Sequence, residues 1–213
     1  MILFLAACAA ASLTAQTPVV SGGASIVSIH SQGVGSGGPT RASGTMLGGM
    51  AMARFGRLEV EGRYIQGALQ SRDFVQGQLG VGFHPVPWAY AHTAARARAY
   101  VSPAETERWV MWLLGVRVES QLVSTRGTTV RGDVGLWRAL ALNANVGSTD
   151  GRAGRGGEAG VTLRLPDRPW WLRLAYGIDR SVVAGAARRE TVEEFTLTVG
   201  LAGRILSKRQ APR

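Results

Sequence analysis

The chain has 213 residues, 29 of them glycine, and a formal net charge of +10 at pH 7, which suits one domain with a sizeable core. The basic residues are spread along the chain without a recognition motif, and this excludes nucleic acid as an expected partner. Cys8 is the only cysteine and the three histidines are scattered, so we expect neither a metal site nor another cofactor.

The N-terminal segment has the pattern of an export signal. Residues 2–13 form an apolar, alanine-rich run, and the three residues ending at Ala15 resemble a cleavage element with small side chains. We therefore predict a signal peptide over residues 1–15. Two alternatives remain open: the run forms a buried helix, or Cys8 ends a lipobox-like segment and becomes a lipidated first residue.

Beyond residue 43, apolar and polar side chains alternate with a period of two, which predicts strands with one apolar face. Leu197, for example, lies on one face of the last segment, and Thr196 and Thr198 lie on the other. A shift by one residue would exchange the faces, so the pattern decides which side meets an apolar medium. The ten predicted strands are roughly 23–31, 43–54, 58–69, 73–84, 88–101, 108–121, 128–146, 157–165, 169–180 and 190–205.

The connections between these strands are alternately tight and long. Tight turns are predicted at 55–57, 85–87 and 166–169, and longer polar or glycine-rich connections at 31–42, 102–107, 147–157 and 181–189. This alternation is typical of a membrane β-barrel with an even number of strands. Eight or twelve strands remain alternatives to ten, because boundaries are hard to place from sequence. The longest later apolar run, 109–116, is far shorter than the ~20 residues of a spanning helix.

Acidic and basic side chains occur in nearly equal numbers on the polar faces of the strands. Inside a narrow barrel unpaired charges are costly, so we expect these side chains to pair and to plug the lumen, with a narrow pore as the alternative. The predicted lumen charge network is Glu59, Glu61, Arg63, Arg96, Arg98, Arg117, Glu119, Arg131, Asp133, Glu158, Arg164, Arg173, Asp179, Glu194 and Arg204.

Aromatic residues lie toward the ends of predicted strands, where amphipathic rings mark the two membrane interfaces. They are Phe55, Phe83, Trp88, Trp109, Trp170 and Phe195. A soluble β-sandwich also alternates, but the balanced inner charges and these aromatic residues favour a membrane barrel.

With these features the chain resembles the small outer-membrane β-barrel proteins of Gram-negative bacteria, the OmpA/OmpX-like class. The resemblance implies an all-β, antiparallel up-and-down transmembrane barrel over residues 16–206. It also implies an outer-membrane location among membrane lipids, insertion by the barrel assembly machinery and a monomeric state. Members of this class usually end the last strand in an aromatic residue, whereas this chain ends in a basic tail over residues 207–213.

The sequence leaves three functions open and assigns no catalytic residue. The leading hypothesis is a structural or interaction barrel, not an enzyme, whose outer loops contact lipopolysaccharide phosphates, since arginine matches phosphate geometry. The predicted contact residues are Arg152, Arg155, Arg180, Arg188 and Arg189. A narrow channel for small solutes is the second hypothesis. The third is an envelope lipid hydrolase, because Ser28 and His30 share one strand face and resemble the Ser/His pairing of barrel lipid A deacylases.

Overall fold

The computed structural model describes residues 18–35, 38–145, 154–166, 168–183 and 188–204. The predicted signal peptide, the alternatives for Cys8, the predicted contact residue Arg152 and the basic tail lie outside these ranges. The structure has ten strands: β1 (Val19–Gly35), β2 (Gly38–Phe55), β3 (Leu58–Leu69), β4 (Arg72–Val86), β5 (Ala89–Val101), β6 (Thr106–Thr125), β7 (Thr128–Ala144), β8 (Gly154–Arg164), β9 (Trp170–Val183) and β10 (Arg188–Arg204).

The strands form one closed antiparallel barrel. Each strand pairs with its neighbours in the sequence, and β10 closes the barrel by pairing with β1 from Val19 opposite Arg204 to Val34 opposite Arg189. The predicted fold class and the count of ten strands are therefore confirmed. We call the end where β1 begins and β10 finishes the lower end, and the opposite end the upper end.

The upper ends of four strands extend beyond their predicted limits. The segment predicted as a loop over 31–42 pairs instead as a continuation of the β1–β2 hairpin, up to Gly35 opposite Gly38. The connection predicted over 181–189 is shortened in the same way, because β9 continues to Val183 and β10 already begins at Arg188. Polar and glycine-rich composition misled the prediction here, since backbone hydrogen bonds extend a ladder without needing an apolar face.

The lower turn between β6 and β7 shows how the chain reverses direction tightly. Arg126 and Gly127 both have positive φ, at 49° and 83°. Two central residues with positive φ are the requirement of the type I′ turn, whose twist matches that of the strands it joins. A side chain at residue 127 would also come within 2.6 Å of the Pro166 side chain, so this position requires glycine.

The two faces of the wall differ as the alternation predicts. Outward-pointing Leu79, Leu136 and Leu174 have large exposed fractions, and this apolar surface is continuous around the barrel. A closed barrel satisfies every internal ladder hydrogen bond, so such a wall is suited to hydrocarbon. Among the residues that the structure describes, no helix is long and apolar enough to cross a membrane.

Four of the aromatic residues lie on the outer wall near the lower end and form a girdle. They are Phe55, Phe83, Trp88 and Trp170. Phe195 also points outward, but from the interior of β10. Trp109 does not point outward, contrary to the prediction. It is fully buried in the lumen, because it alternates with outward-pointing Val110 on β6, and its indole Nε1 donates to Glu107 at 2.7 Å.

Candidate functional site

Fourteen of the fifteen residues predicted for the charge network point into the lumen. They lie on the inward face of their strands, as the register and the burial of the wall show. Arg204 ends β10, and its side chain is outside the description. The network has two parts, one in each half of the barrel.

The upper part of the network is centred on Arg98 of β5, whose side chain is completely buried. Its guanidinium donates to Asp179 at 3.0 Å and to Gln76 at 2.8 Å, and lies 3.4 Å from Glu190. Tyr100 donates to the same Glu190 carboxylate. Every nitrogen of this buried cation therefore has an acceptor, which is the condition for burying a charge without a large penalty.

Two further arginines tie β3 and β5 to the last two strands. Arg96 donates to Asp179 at 2.7 Å, so this carboxylate bridges two cations. Arg63 lies 2.8 Å from Glu194, which also accepts from Gln76 at 3.0 Å. These contacts join strands on opposite sides of the barrel.

An apolar cluster occupies part of the same upper half. Phe74 and Tyr100 pack edge to face, with ring centroids 5.3 Å apart, and the remaining members are buried around them. The cluster consists of Val27, Ile29, Met46, Ile65, Leu69, Phe74, Ala94, Tyr100, Trp109, Met111, Leu113, Ala139, Leu142, Ala144 and Val192. We call this cluster, with the Arg98 network, the upper plug.

The lower part of the network is more open. Arg117 lies 2.9 Å from Glu59 and 3.4 Å from Glu61, and Arg173 lies 2.7 Å from both Asp133 and Glu158. Four of these charged groups, Arg117, Arg173, Glu61 and Glu158, keep between 14% and 26% of their side-chain surface exposed.

These side chains line a cavity of about 240 Å³ below the upper plug. Arg54, Arg131 and Arg164 also line it, from positions near the lower end of their strands. The wall of the cavity is mixed in charge, so it does not select for one sign of ligand. The described residues hold no group of three or more His, Cys, Asp or Glu placed to bind a metal ion.

The predicted network did not include several residues that bond to its charges. Gln76, Glu107, Tyr100 and Glu190 all point inward and bond to charged or polar groups of the upper plug. Their inward parity was visible, since Glu107, Tyr100 and Glu190 each lie an even number of residues from a predicted member on their own strand. Gln76 lies on the polar face of β4, which holds no predicted member. Their partners were not visible, because these depend on distances across the barrel.

The outer wall carries a second charged feature, a row of three arginines. Arg138 of β7 lies directly opposite Arg155 of β8, and Arg155 lies directly opposite Arg180 of β9. All three side chains point outward and are exposed. The register continues with Leu114 on β6 at one side and Thr191 on β10 at the other, so no acid interrupts the row. We call these residues the arginine row.

The arginine row changes the prediction for the phosphate contacts. Arg155 was predicted in an outer loop and Arg180 in or beside the next one, but both lie in strands, close to the upper ends of β8 and β9. Arg138, which was not among the predicted contacts, joins them. Arg188 and Arg189 begin β10, and Arg189 points outward above Thr191.

Ser28 and His30 also point outward, on β1. His30 lies directly opposite Glu193 of β10 and Ser43 of β2, and Ser28 lies opposite Phe195. Glu193, on the strand that closes the barrel, is thus the acidic residue that the register places opposite His30.

No protein-family model and no curated protein match the sequence. Solved structures match the fold. The outer membrane protease OmpT from Escherichia coli is similar over 90% of this chain and 98% of its own, with 9% identity and a TM-score of 0.51. The translocator domain of the autotransporter NalP from Neisseria meningitidis aligns over 95% and 94%, with 14% identity and a TM-score of 0.43.

The similarity to OmpT is one of fold. It agrees with the closed ten-strand barrel and with an apolar outer surface that suits the hydrocarbon of a membrane. The chain has the fold of the outer-membrane β-barrel proteins of Gram-negative bacteria, and its place is the outer membrane.

Proposed function

We propose that this protein is a plugged structural barrel that binds lipopolysaccharide phosphates on its outer wall. The observation that carries the proposal is the arginine row, in which three outward cations lie side by side on adjacent strands. Like charges directly opposite each other destabilise a sheet, so the row is favourable when a shared anion lies against it. A phosphate with several oxygens matches the donor fork of arginine.

The position of the row supports a lipid headgroup as the source of the anion. Arg155 is the second residue of β8, so the row lies near the upper end of the wall. An arginine at the bilayer midplane costs about 2–4 kcal/mol, but close to nothing near the interface. In barrels of this fold the chain ends are periplasmic, which directs the upper end to the cell surface, where lipopolysaccharide forms the outer leaflet.

The upper plug supports a barrel that does not conduct. Buried ion pairs and the apolar cluster fill the same half of the lumen, so a solute in the lower cavity meets a closed end. The barrel is expected to act as a monomer, inserted by the barrel assembly machinery. A narrow channel remains the alternative function, since it requires only that the upper plug move.

The test compares two triple variants with the same change in net charge. R138Q/R155Q/R180Q removes the row, whereas R57Q/R126Q/R168Q removes three exposed arginines at the lower turns. Binding of purified lipopolysaccharide to the refolded barrel is measured in detergent over a range of salt. A hydrogen bond to a charged group contributes about 1.5–3 kcal/mol, so loss of each arginine of the row should weaken binding by about 10- to 100-fold.

The proposal expects the row variant to lose most of its affinity and its salt dependence, and the lower-turn variant to bind as the parent does. Equal binding by all three proteins would overturn it. Single-channel current across a planar bilayer containing the parent barrel would instead support the channel.

A further inference from the structure

The outward face of the β1–β10 seam brings together a hydroxyl, an imidazole and a carboxylate. Ser28 and His30 are two residues apart on β1, so their Cα atoms are about 6.7 Å apart and both side chains leave the same face. Glu193 lies directly across the seam from His30. Cross-strand partners have Cβ atoms about 4.5–5.5 Å apart, which places the carboxylate within reach of the imidazole.

Glu193 is also held from its other side. The Tyr176 side chain of β9, which is diagonal to Glu193 across the β9–β10 pair, interacts with its carboxylate. A carboxylate with one oxygen engaged in this way keeps the second oxygen for a neighbour, and the neighbour across the seam is His30. The order Glu193, His30, Ser28 is that of an orienting acid, a base and a nucleophile, recognised by roles rather than by sequence position.

The depth of this cluster matches the level of lipid ester bonds. One step below it, Leu47, Ile26 and Leu197 form an apolar row across β2, β1 and β10, in which Leu47 and Ile26 are exposed and Leu197 is half-buried. One step above it, the corresponding row is Arg41, Gln32 and Thr191. The cluster thus lies where the wall changes from apolar to polar, and in a bilayer this change occurs between the hydrocarbon and the headgroups.

We propose that Ser28, His30 and Glu193 form a lipid-facing site that hydrolyses acyl esters of a phosphorylated lipid. The inference rests on the proposed function for the binding of the phosphate. Arg180 of the arginine row lies opposite Thr191, two residues from Glu193 on β10, so a lipid whose phosphate contacts the row extends its ester region toward the seam.

The reaction balances with water as the only co-reactant. Ser28 Oγ attacks the ester carbonyl while its proton passes to His30, and the tetrahedral intermediate collapses as the lipid alkoxide takes that proton and leaves. Water then attacks the acyl–Ser28 ester while His30 accepts its proton, and Ser28 Oγ takes that proton from His30 as it leaves, which releases the fatty acid and restores both side chains. Ser28 and His30 are the catalytic residues, and Glu193 is a positioning residue that orients the imidazole.

The experiment uses the refolded barrel in two kinds of vesicle, one of lipopolysaccharide and one of phosphatidylethanolamine, since either lipid offers a phosphate and acyl esters. Free fatty acid is measured by mass spectrometry. S28A and H30N should each lower the rate by about 100-fold or more. S120A, at an outward and exposed serine of β6, is the matched control and should keep the parent rate.

Two measurements separate chemistry from structure. A fluorophosphonate probe should label Ser28 in the parent and fail to label it in H30N, whereas both proteins should keep the same heat-modifiable migration on a gel. E193Q should lower kcat by at least about 10-fold without changing KM, and E193D should recover part of that loss, as expected for an orienting acid.

Absence of fatty acid release from both lipids, together with an unlabelled Ser28 in the folded parent, would overturn the inference. Release that persists in S28A would overturn it as well. Neither result changes the binding measured for the variants of the arginine row. Absence of hydrolysis and absence of lipopolysaccharide binding are therefore distinguishable. Release of fatty acid from only one kind of vesicle identifies the lipid that is the substrate.

Discussion

The two halves of the lumen are built from the same alternating strands, yet their inward-pointing charged side chains differ in burial. In the upper half Arg98 is completely buried, and its acceptors Asp179 and Glu190 are nearly so. In the lower half Arg173 and Glu158 pair equally closely but remain partly exposed around a cavity. Alternation therefore decides that charges face inward, and the large apolar neighbours decide whether water reaches them.

The strongest way to break this comparison is to remove Arg98. R98A leaves Asp179 and Glu190 buried with less compensation, and removal of one partner from a buried pair costs about 3–5 kcal/mol. Urea unfolding of the barrel in lipid vesicles measures the loss. R98K keeps the charge without the planar fork, so its loss should be smaller. An R98A barrel as stable as the parent would show that the upper half is solvated after all.

A second change tests whether the upper plug is what closes the lumen. W109A removes a fully buried indole from the apolar cluster, which costs about 3 kcal/mol and leaves a void beside Met111 and Leu142. Current across a planar bilayer should then appear where the parent shows none. W112A, at an outward position of the same strand, is the matched control and should stay silent. A silent W109A barrel would locate the seal elsewhere in the lumen.

The smallest effect is expected at the mouth of the cavity. Arg131 points into the lumen but is exposed near the lower end, so R131A should change the free energy of unfolding by no more than about 0.5 kcal/mol. R173A, higher in the same cavity, removes contacts to two carboxylates and should cost about 1–3 kcal/mol. The same urea titration compares them, and equal losses would contradict the gradient of burial.

The sequence predicted the architecture well because the period of two is a local signal. Leu197 and Thr196 identify their faces without any knowledge of their neighbours. Trp109 was placed on the wrong face because its position near a strand end outweighed its parity, although outward Val110 fixes that parity. Residues 31–35 and 38–42 were predicted as part of a loop because glycine and polar residues are typical of turns, although here they continue the β1–β2 ladder.

The site was less predictable because it depends on register between strands. Arg138, Arg155 and Arg180 are far apart in sequence and meet only when β7, β8 and β9 align. The position of Glu193 opposite His30 could not be predicted from the sequence, since the closure of the barrel aligns the two residues. A single bulge shifts such partners: at Leu140 of β7 two consecutive residues, Leu140 and Ala141, point outward, and parity changes beyond them.

The distribution of charge among the strands bears on the order of assembly. The cations of the upper plug, Arg63, Arg96 and Arg98, belong to β3 and β5, whereas their acids Asp179, Glu190 and Glu194 all belong to the final hairpin. Until that hairpin pairs with the rest of the sheet, these three arginines lack their acidic partners and the three acids lack their cations. The last insertion step is thus guided by attraction between unlike charges, and a half-built sheet gains little by closing early.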